Sequence, residues 1–321
     1  MTHKIVSLKN VDITIINNLL LQSLEVSPQL MFEFSPTILK SVNFSSTKTF
    51  IKFWTIEISK LIKSIEKEPI EDLDLDDVMD INSSSNDLSN FNETFNFYLL
   101  KGDLLKSFLS VFKNDLIDID FTLINGQDGK LQAQSITVKG LTESDKNLIA
   151  KLDLTTDDMI TDKVSDYAQL LEICKPKSNM SEIVLTNNNL KELRRIISNM
   201  NKTISNNSSF VTFTIEDDLL KVNDKVFDIT FDDLQITSQD NFSFNILKND
   251  FKLIGNHSFK IFTGKDDKDI HFGAKFGNAI IWCLTSKPKN SEELMNETSE
   301  DILSSDDIND YGLEDLNLED Y

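Results

Sequence analysis

The sequence predicts an α+β fold built from two copies of one domain, and a repeat within the chain is the main reason. FNFYLLKGD at Phe95–Asp103 returns as FSFNILKND at Phe242–Asp250, with five of nine positions identical and an offset of 147 residues. KTF at Lys48–Phe50 returns as KVF at Lys225–Phe227, with an offset of 177 residues. Internal similarity of this kind indicates a structural repeat. The two offsets differ by 30 residues, so the first copy should contain an insertion between its two matching segments.

An acidic stretch supplies that insertion. Ser64–Thr94 consists of 31 residues rich in Asp, Glu, Ser and Asn, and it shows no strand pattern. The predicted organisation is a first domain at 1–156 with the insertion at 64–94, a connector at 157–178, a second domain at 179–289 and an acidic tail at 290–321.

Hydrophobic periodicity places the elements of the first domain. Strands show alternating apolar residues, and helices show apolar residues three or four positions apart. The predicted strands are Lys4–Leu8, Leu30–Phe34, Ile38–Phe44, Thr49–Ile58, Phe95–Leu99, Ile117–Ile124, Leu131–Lys139 and Asn147–Leu154, and the predicted helices are Val11–Glu25 and Asp103–Lys113.

The second domain repeats the order strand, helix, four strands, helix and three strands. A short helix at Lys163–Ile173 is expected in the connector before it. In both copies the Asp that ends the repeated motif is expected to cap the following helix. The predicted strands are Glu182–Leu185, Phe210–Ile215, Leu219–Val222, Val226–Ile236, Phe242–Ile246, His257–Phe262, Ile270–Phe276 and Ala279–Leu284, and the helices are Asn189–Lys202 and Asp250–Ile254.

The net charge of −21 is confined to two segments. The tail holds 12 acidic residues and no Lys or Arg, the insertion holds 10 acidic residues and one Lys, and the other 258 residues hold 31 of each sign. Segments of such composition are expected to be disordered because they cannot bury enough apolar surface. The folded part is therefore neutral, and the overall charge does not exclude a nucleic-acid partner.

Motifs for catalysis, metals and membranes are missing from the sequence. Cys174 and Cys283 lack metal-site spacing, and the absence of a disulfide framework fits a reducing cytosol. His3, His257 and His271 have no nucleophile or carboxylate at motif spacing, and there is no phosphate-binding loop. No apolar run reaches 18 residues, and no signal peptide is recognised. The expectation is a protein that is not an enzyme, holds no cofactor or metal, and does not enter a membrane.

Basic side chains gather on the predicted helices. A single basic helix face is usually an ordinary solvated surface, but three at repeat-related positions favour contacts with a phosphate backbone. No motif for reading bases accompanies them. The residues are Lys191, Arg194, Arg195 and Lys202 on the helix Asn189–Lys202, Lys106 and Lys113 on Asp103–Lys113, and Lys248 and Lys252 around the last helix.

The order of elements, the repeat and the F-x-F-x-x-L-K-x-D step resemble those of DNA sliding clamps. The similarity is greatest to the two-domain clamps of tailed bacteriophages, which share the ring fold of proliferating-cell nuclear antigen, and it covers about residues 1–288 apart from the insertion. The resemblance implies a closed head-to-tail ring, usually of three subunits, with sheets outside and four helices per subunit lining the hole. The DNA-facing positions would then be Lys101, Lys106, Lys113, Lys191, Arg194, Arg195, Lys202, Lys248 and Lys252.

The resemblance implies a replication processivity factor. Such a ring would encircle duplex DNA, tether a DNA polymerase, be opened by an ATP-dependent clamp loader, and work in the cytoplasm of an infected bacterial host cell. Two features depart from the pattern, because Val11–Glu25 carries no Lys or Arg and the insertion and tail exceed what the fold needs. Partner peptides would contact Tyr167, Leu170, Leu171 and Trp282, with Leu313 and Leu316 of the tail docking on a partner.

Less specific interpretations stay open at this point. Trp282 is as well explained by core packing, and the tail by solvation alone. A single-stranded-DNA-binding protein with an acidic C-terminal tail is the main alternative, but it would need exposed aromatic rings for base stacking. The Phe residues instead alternate on strands or lie on helix stripes, which is typical of a core. A phage structural or adaptor protein without a nucleic-acid role is the third possibility.

Overall fold

A computed structural model describes residues 4–62 and 93–288 except 114, 127–128, 157–158, 161–163, 186, 201–209, 225–226, 233, 239 and 255–257. His3, His257, Lys202, the acidic insertion up to residue 92 and the tail therefore lie outside the described residues. Within the described part, no helix is both long and apolar enough to cross a membrane.

Strands outnumber helices among the described residues, and the predicted mixed α+β class is confirmed. The strands are β1 (Lys4–Asp12), β2 (Leu30–Phe34), β3 (Ile38–Phe44), β4 (Phe50–Glu57), β5 (Phe95–Leu99), β6 (Leu116–Asn125), β7 (Leu131–Leu141), β8 (Asn147–Asp153), β9 (Ser181–Leu185), β10 (Phe210–Glu216), β11 (Leu219–Asp224), β12 (Phe227–Phe231), β13 (Gln235–Thr237), β14 (Phe242–Leu247), β15 (Phe259–Thr263), β16 (Asp269–Phe276) and β17 (Ala279–Ser286). The helices are α1 (Ile13–Leu24), α2 (Ile58–Leu61), α3 (Gly102–Leu109), α4 (Tyr167–Cys174), α5 (Asn187–Met200) and α6 (Lys248–Leu253).

The chain divides into two compact units. Unit 1 comprises residues 1–24, 28–41 and 56–160, and unit 2 comprises residues 25–27, 42–55 and 161–321. The change at 160–161 falls inside the predicted connector 157–178, but 42–55 belongs to unit 2 although it precedes the insertion. The reason is strand pairing, since β4 lies against β17 in unit 2, for example at Trp54 and Ile281.

Unit 1 is built on a sheet with the strand order β1-β6-β7-β5-β2-β3. The long strand β7 pairs with β5 near Leu131 and with β8 over Ser135–Leu141. The first copy of the repeated motif contributes two buried Phe residues, which stack on rings of β2: Phe95 lies 5.0 Å from Phe34, and Phe97 lies 5.0 Å from Phe32. Each such pair adds about 0.5–1.5 kcal/mol beyond area burial.

Unit 2 contains one sheet ordered β4-β17-β16-β15-β9-β13 and a second ordered β12-β11-β10-β14. The second copy of the motif lies on β14, where Phe242 and Phe244 are buried. The Phe244 ring stacks on Phe213 of β10 at 5.4 Å, and Phe251 of α6 lies 6.2 Å from the same ring. The alternation of the motif therefore places its Phe residues in the core of both units.

Three sequence expectations about elements are wrong. The single strand predicted at Val226–Ile236 is two strands in different sheets, because β12 pairs with β11 whereas β13 pairs with β9. The helix predicted at Asp103–Lys113 ends at Leu109. The connector helix starts at Tyr167 rather than Lys163, because the Asp166 side chain accepts the backbone N–H groups of the first turn.

The predicted caps are also corrected. Lys101 is the N-cap of α3 and Leu247 that of α6, and neither has a side-chain capping bond. Asp103 and Asp250 lie in the first turns instead, where a carboxylate is favoured by the helix dipole. Asp250 is buried and accepts a hydrogen bond from Thr285 Oγ1 at 2.5 Å.

Candidate functional site

Five of the predicted DNA-facing residues are exposed to solvent and form no ion pair with another described residue. Lys101 and Lys106 lie at the start and within α3, Lys191 and Arg195 lie one turn apart on α5, and Lys252 lies on α6. We call these five residues the helix cations. The core side of α5 is formed by Leu190, Leu193 and Ile197, all buried, so the helix periodicity turns Lys191 and Arg195 outward.

The helix cations differ from many strand lysines in their pairing. Lys139 contacts Asp120 at 2.7 Å, and Lys260 contacts Glu182 at 2.5 Å. None of the five helix cations forms an ion pair with any other residue that the structure describes. Because exposed ion pairs contribute little to stability, the fold loses little by leaving these five charges without an ion pair.

Arg194 differs from its neighbour Arg195. Its side chain is half-buried, and Nε and Nη2 have no hydrogen-bond partner among the described residues. Burial lowers the pKa of the Arg194 guanidinium, and the nearby carboxylate of Glu25 partly opposes this shift. Sequence reasoning treated the two arginines as equivalent, but consecutive helix positions point about 100° apart.

Other predicted DNA-facing residues lie in different settings. Lys248 is only 4% exposed, so its expected place on an exposed face of α6 is corrected: the helix begins at this residue and turns it inward. Lys113 is exposed but donates to the Glu143 carbonyl at 3.2 Å and approaches Asp145. Lys202 lies outside the described residues. The first helix, α1, carries no Lys or Arg, and its exposed residues are Thr14, Asn18 and Leu21.

A buried lysine in unit 2 escaped the sequence reasoning. Lys52 is fully buried on β4, where Nζ contacts Glu25 at 3.2 Å and donates to the Leu253 carbonyl at 3.1 Å. The Glu25 side chain is 38% exposed, so the pair joins a buried ammonium to a carboxylate in contact with solvent. The only signal in the sequence was one Lys inside the apolar run FIKFW, and its role is structural rather than DNA-facing.

The expected partner-binding residues fall into two groups. Tyr167 and Leu170 are buried on α4, and the Tyr167 ring packs 6.4 Å from Phe53, so their expected exposure to a partner is corrected. Leu171 and Trp282 are partly exposed. Leu313 and Leu316 lie outside the described residues, and their docking role stays a prediction.

Glycine shapes the surroundings of Trp282. A Cβ atom on Gly273 would lie 2.5 Å from Trp282 Cζ3, so the indole covers a position where only glycine fits. On the neighbouring strand β15, the Phe262 ring lies 6.3 Å from the indole. The exposed large apolar side chain of Ile280 is two residues away on β17. This partly apolar surface is the part of the expected partner site that the structure leaves accessible.

The His, Cys and acidic side chains of the described residues do not cluster into a metal site. Among them, no group of three or more His, Cys, Asp or Glu side chains is placed to hold a metal ion. Cys174 and Cys283 are buried free thiols, and burial raises the pKa of both. A thiol with a raised pKa is a poor nucleophile at neutral pH.

His271 holds α4 to the sheet of unit 2. It is buried, and its Nδ1 lies 3.1 Å from the Cys174 carbonyl, which can only accept, so this nitrogen carries the proton. Burial lowers the pKa of His271, while the bond to Cys174 and the carboxylates of Asp269 and Asp267 only partly oppose it, and Lys177 adds to the lowering.

We expect the stability of the fold to decrease as the pH falls below about 6.5, the ordinary pKa of histidine. The unfolded chain then takes up a proton that buried His271 rejects, and stability is lost until the pH reaches the lower folded pKa. Urea unfolding at about pH 7.5 and about pH 5.5 measures this difference, which should shrink in His271→Gln. An equal pH dependence in the wild-type protein and the variant would contradict the assignment.

Comparison with known proteins identifies the fold. No protein-family model and no curated protein sequence matches this chain. Among solved structures, the proliferating cellular nuclear antigen of Entamoeba histolytica is similar with a TM-score of 0.58 and 8% sequence identity, over 88% of this chain and 98% of the other. The chain has the fold of a sliding clamp. At this identity the likeness establishes the clamp fold, and the role must be argued from the residues that this chain places on it.

Proposed function

We propose that this chain is a sliding clamp that encircles duplex DNA and tethers a replicative DNA polymerase, acting as a processivity factor. The observation that carries the proposal is the set of exposed helix cations, which lack ion-pair partners among the described residues and lie on the helices of a clamp fold. In a ring of this fold, those helices would line the hole. The chain then needs no catalytic group, and we propose no enzymatic activity.

The chemistry of the helix cations suits non-specific contact with duplex DNA. Lys and Arg bind phosphate oxygens in any sequence, and such contacts break and re-form as a protein slides. Five cations on a subunit give weak, salt-dependent binding, so topology rather than affinity would keep the ring on DNA. Arg194 adds positive charge beneath the exposed cations, but its unpartnered Nε and Nη2 are buried, so a bound phosphate would be attracted by that charge without contacting these two atoms.

The proposal implies a set of partners. Three subunits would form the ring, a DNA polymerase would bind on its surface, and an ATP-dependent clamp loader would open it. The partly exposed Leu171 and Trp282 are the proposed contact for partner peptides. Kinship with the clamps of tailed bacteriophages, and hence a location in the cytoplasm of an infected bacterial cell, remains a separate proposal from the resemblance, because the solved structure described above comes from a eukaryote.

The alternative of a single-stranded-DNA-binding protein is disfavoured by its aromatic residues. Such proteins stack bases on exposed rings. The large apolar side chains that the described residues expose most are aliphatic, for example Ile5, Leu104 and Ile149. The motif rings, such as Phe95 and Phe244, are buried in stacked pairs instead.

A topological assay tests the proposed function. The protein is loaded onto a nicked circular duplex and onto the same duplex after linearisation, with blocked ends on a third sample. A clamp is retained on the circle and on the blocked linear DNA after a salt wash, but slides off free ends. Equal loss from all three substrates, or equal retention on them, would contradict encirclement.

A further inference from the structure

Unit 2 exposes Lys191, Arg195 and Lys252 on two of its helices, and the exposed acidic residue Glu192 lies beside Lys191 on α5. The first two residues are one turn apart on α5, the third is on α6, and all three are exposed. Their charges are not neutralised by an ion pair within the described part of the chain. The half-buried guanidinium of Arg194 adds positive charge beneath this surface. We call the three exposed residues the cationic surface of unit 2.

The chain contains its own polyanion in the same unit. Residues 290–321 hold 12 acidic residues and no Lys or Arg, and they follow directly after the described end of unit 2. The last described residues are fixed to the unit, because the Lys287 backbone N–H donates to the Lys268 carbonyl at 2.8 Å. The acidic tail is thus tethered to the domain that carries the cationic surface.

The tail is long compared with the size of the unit to which it is joined. A flexible chain of 32 residues has a root-mean-square length of about 30 Å, because that length grows with the square root of residue number. A compact unit of this size has a radius of gyration of about 16 Å. A tether of this length also gives the tail an effective concentration on the order of millimolar, which compensates for weak individual contacts.

We propose that the acidic tail of the chain binds the cationic surface of unit 2 and competes there with nucleic-acid phosphates. The competition rests on the proposed function, whereas the contact between tail and surface does not. The tail's carboxylates would take the place of phosphates on Lys191, Arg195 and Lys252 while no duplex is bound. The tail thereby prevents other polyanions from occupying the helices.

The difference in charge density between duplex DNA and the tail determines which of the two occupies the cationic surface. Duplex DNA carries one charge per about 1.7 Å of its axis. The tail's 12 acidic residues in 32 positions correspond to one charge per about 9 Å when extended, given about 3.4 Å per residue. A duplex held against the helices therefore displaces the tail, whereas a nucleic acid that makes only a few phosphate contacts competes less well with a tethered tail. The tail therefore favours binding of an encircled duplex over binding of nucleic acids that make only a few phosphate contacts.

Zero-length crosslinking tests the contact without DNA. A carbodiimide joins a lysine to a carboxylate only where the two are in contact, and peptide mapping of the full chain at low salt should find Lys191 and Lys252 joined to residues 290–321. Lys260, which already contacts Glu182 at 2.5 Å, provides an internal reference. Mixing isotope-labelled and unlabelled chains shows whether the joined residues belong to one chain. Tail carboxylates that crosslink to neither Lys191 nor Lys252 would overturn the proposal.

A double-mutant cycle tests the competition. Neutralising acids of the tail should tighten binding to a short linear duplex about tenfold at low salt, because a tethered competitor is removed. In a Lys191→Gln, Arg195→Gln background the gain should disappear, whereas a gain that persists there would show long-range repulsion and overturn the proposal. If no variant binds DNA, the proposed function fails and the crosslinks alone decide the contact. The tail substitutions are Glu314→Gln, Asp315→Asn, Glu319→Gln and Asp320→Asn.

Discussion

Reversing the charge of Lys191 and Arg195 to Glu should weaken binding to duplex DNA by about tenfold or more at physiological salt. Both side chains are exposed on α5 and have no ion-pair partner among the described residues, so the substitutions should leave the fold intact. Each lost phosphate contact lowers the slope of log affinity against log salt by about 0.9. Titration of a fluorescent duplex at several salt concentrations measures both effects.

A matched control separates local from overall charge. Lys265→Glu with Lys275→Glu changes the net charge by the same amount, but these exposed residues lie in the turn between β15 and β16 and on β16 itself. If the helices carry the contact, this control retains the wild-type salt slope. Equal weakening in both double variants would mean that total charge matters rather than the α5 surface. An unchanged slope in the α5 variant would remove α5 from the proposed DNA contact.

Charge reversal at Arg194 should affect the stability of the fold as well as DNA binding. Because its side chain is half-buried, Arg194→Glu would place a carboxylate near Glu25 and destabilise the fold as well as DNA binding. Charge reversal at Arg194 therefore cannot distinguish a DNA contact from a loss of stability. The exposed pair is the cleaner test, and this distinction depends on burial that the sequence did not indicate.

Local patterns predicted the elements well because strand alternation and helix periodicity are properties of neighbouring residues. The burial of Phe95 and Phe244 follows from alternation alone, as does the outward direction of Lys191. The pairing of strands that are far apart in the chain could not be predicted from these local patterns. The sequence could not show that residues 42–55 join unit 2, or that β12 and β13 belong to different sheets.

The candidate site shows the same limit. Lys248 was expected to be exposed because the helix was expected to begin at Asp250, and a start two residues earlier turns that side chain inward. Tyr167 and Leu170 were placed on a connector, and their burial depends on packing of α4 against strands far away in sequence, such as Phe53. Periodicity predicts which residues share one face of a helix, but only the tertiary structure shows whether other elements bury that face.

Ring assembly should depend on the free edge of β8. This strand pairs with β7 on one side, none of its residues is buried, and Ile149 is 68% exposed. A cleft of about 420 Å³ beside it is lined partly by Asn147, Leu148 and Ile149. Unpaired strand edges are aggregation hazards unless another strand covers them. We expect β12 of the next subunit to cover this edge, because β12 is likewise an edge strand and pairs with β11 on its other side.

We expect a proline on the free side of β8 to convert the ring into single chains. Neighbouring residues of a strand direct their N–H groups to opposite sides, so one of Leu148→Pro and Ile149→Pro removes a donor from the free edge and the other breaks the ladder to β7. The variant that loses a donor on the free edge should keep its melting temperature but lose ring assembly. Each interface hydrogen bond contributes about 0.5–1.5 kcal/mol, and the proline ring also blocks the approaching strand. Sedimentation at micromolar concentration distinguishes three chains of 36.6 kDa from one.

Phe227→Pro on β12 is the complementary variant. Mixing it with the β8 variant should not restore closed rings, since each ring would still contain blocked edges. If the variant that keeps its melting temperature sediments like the wild-type protein, β8 is not the assembly edge.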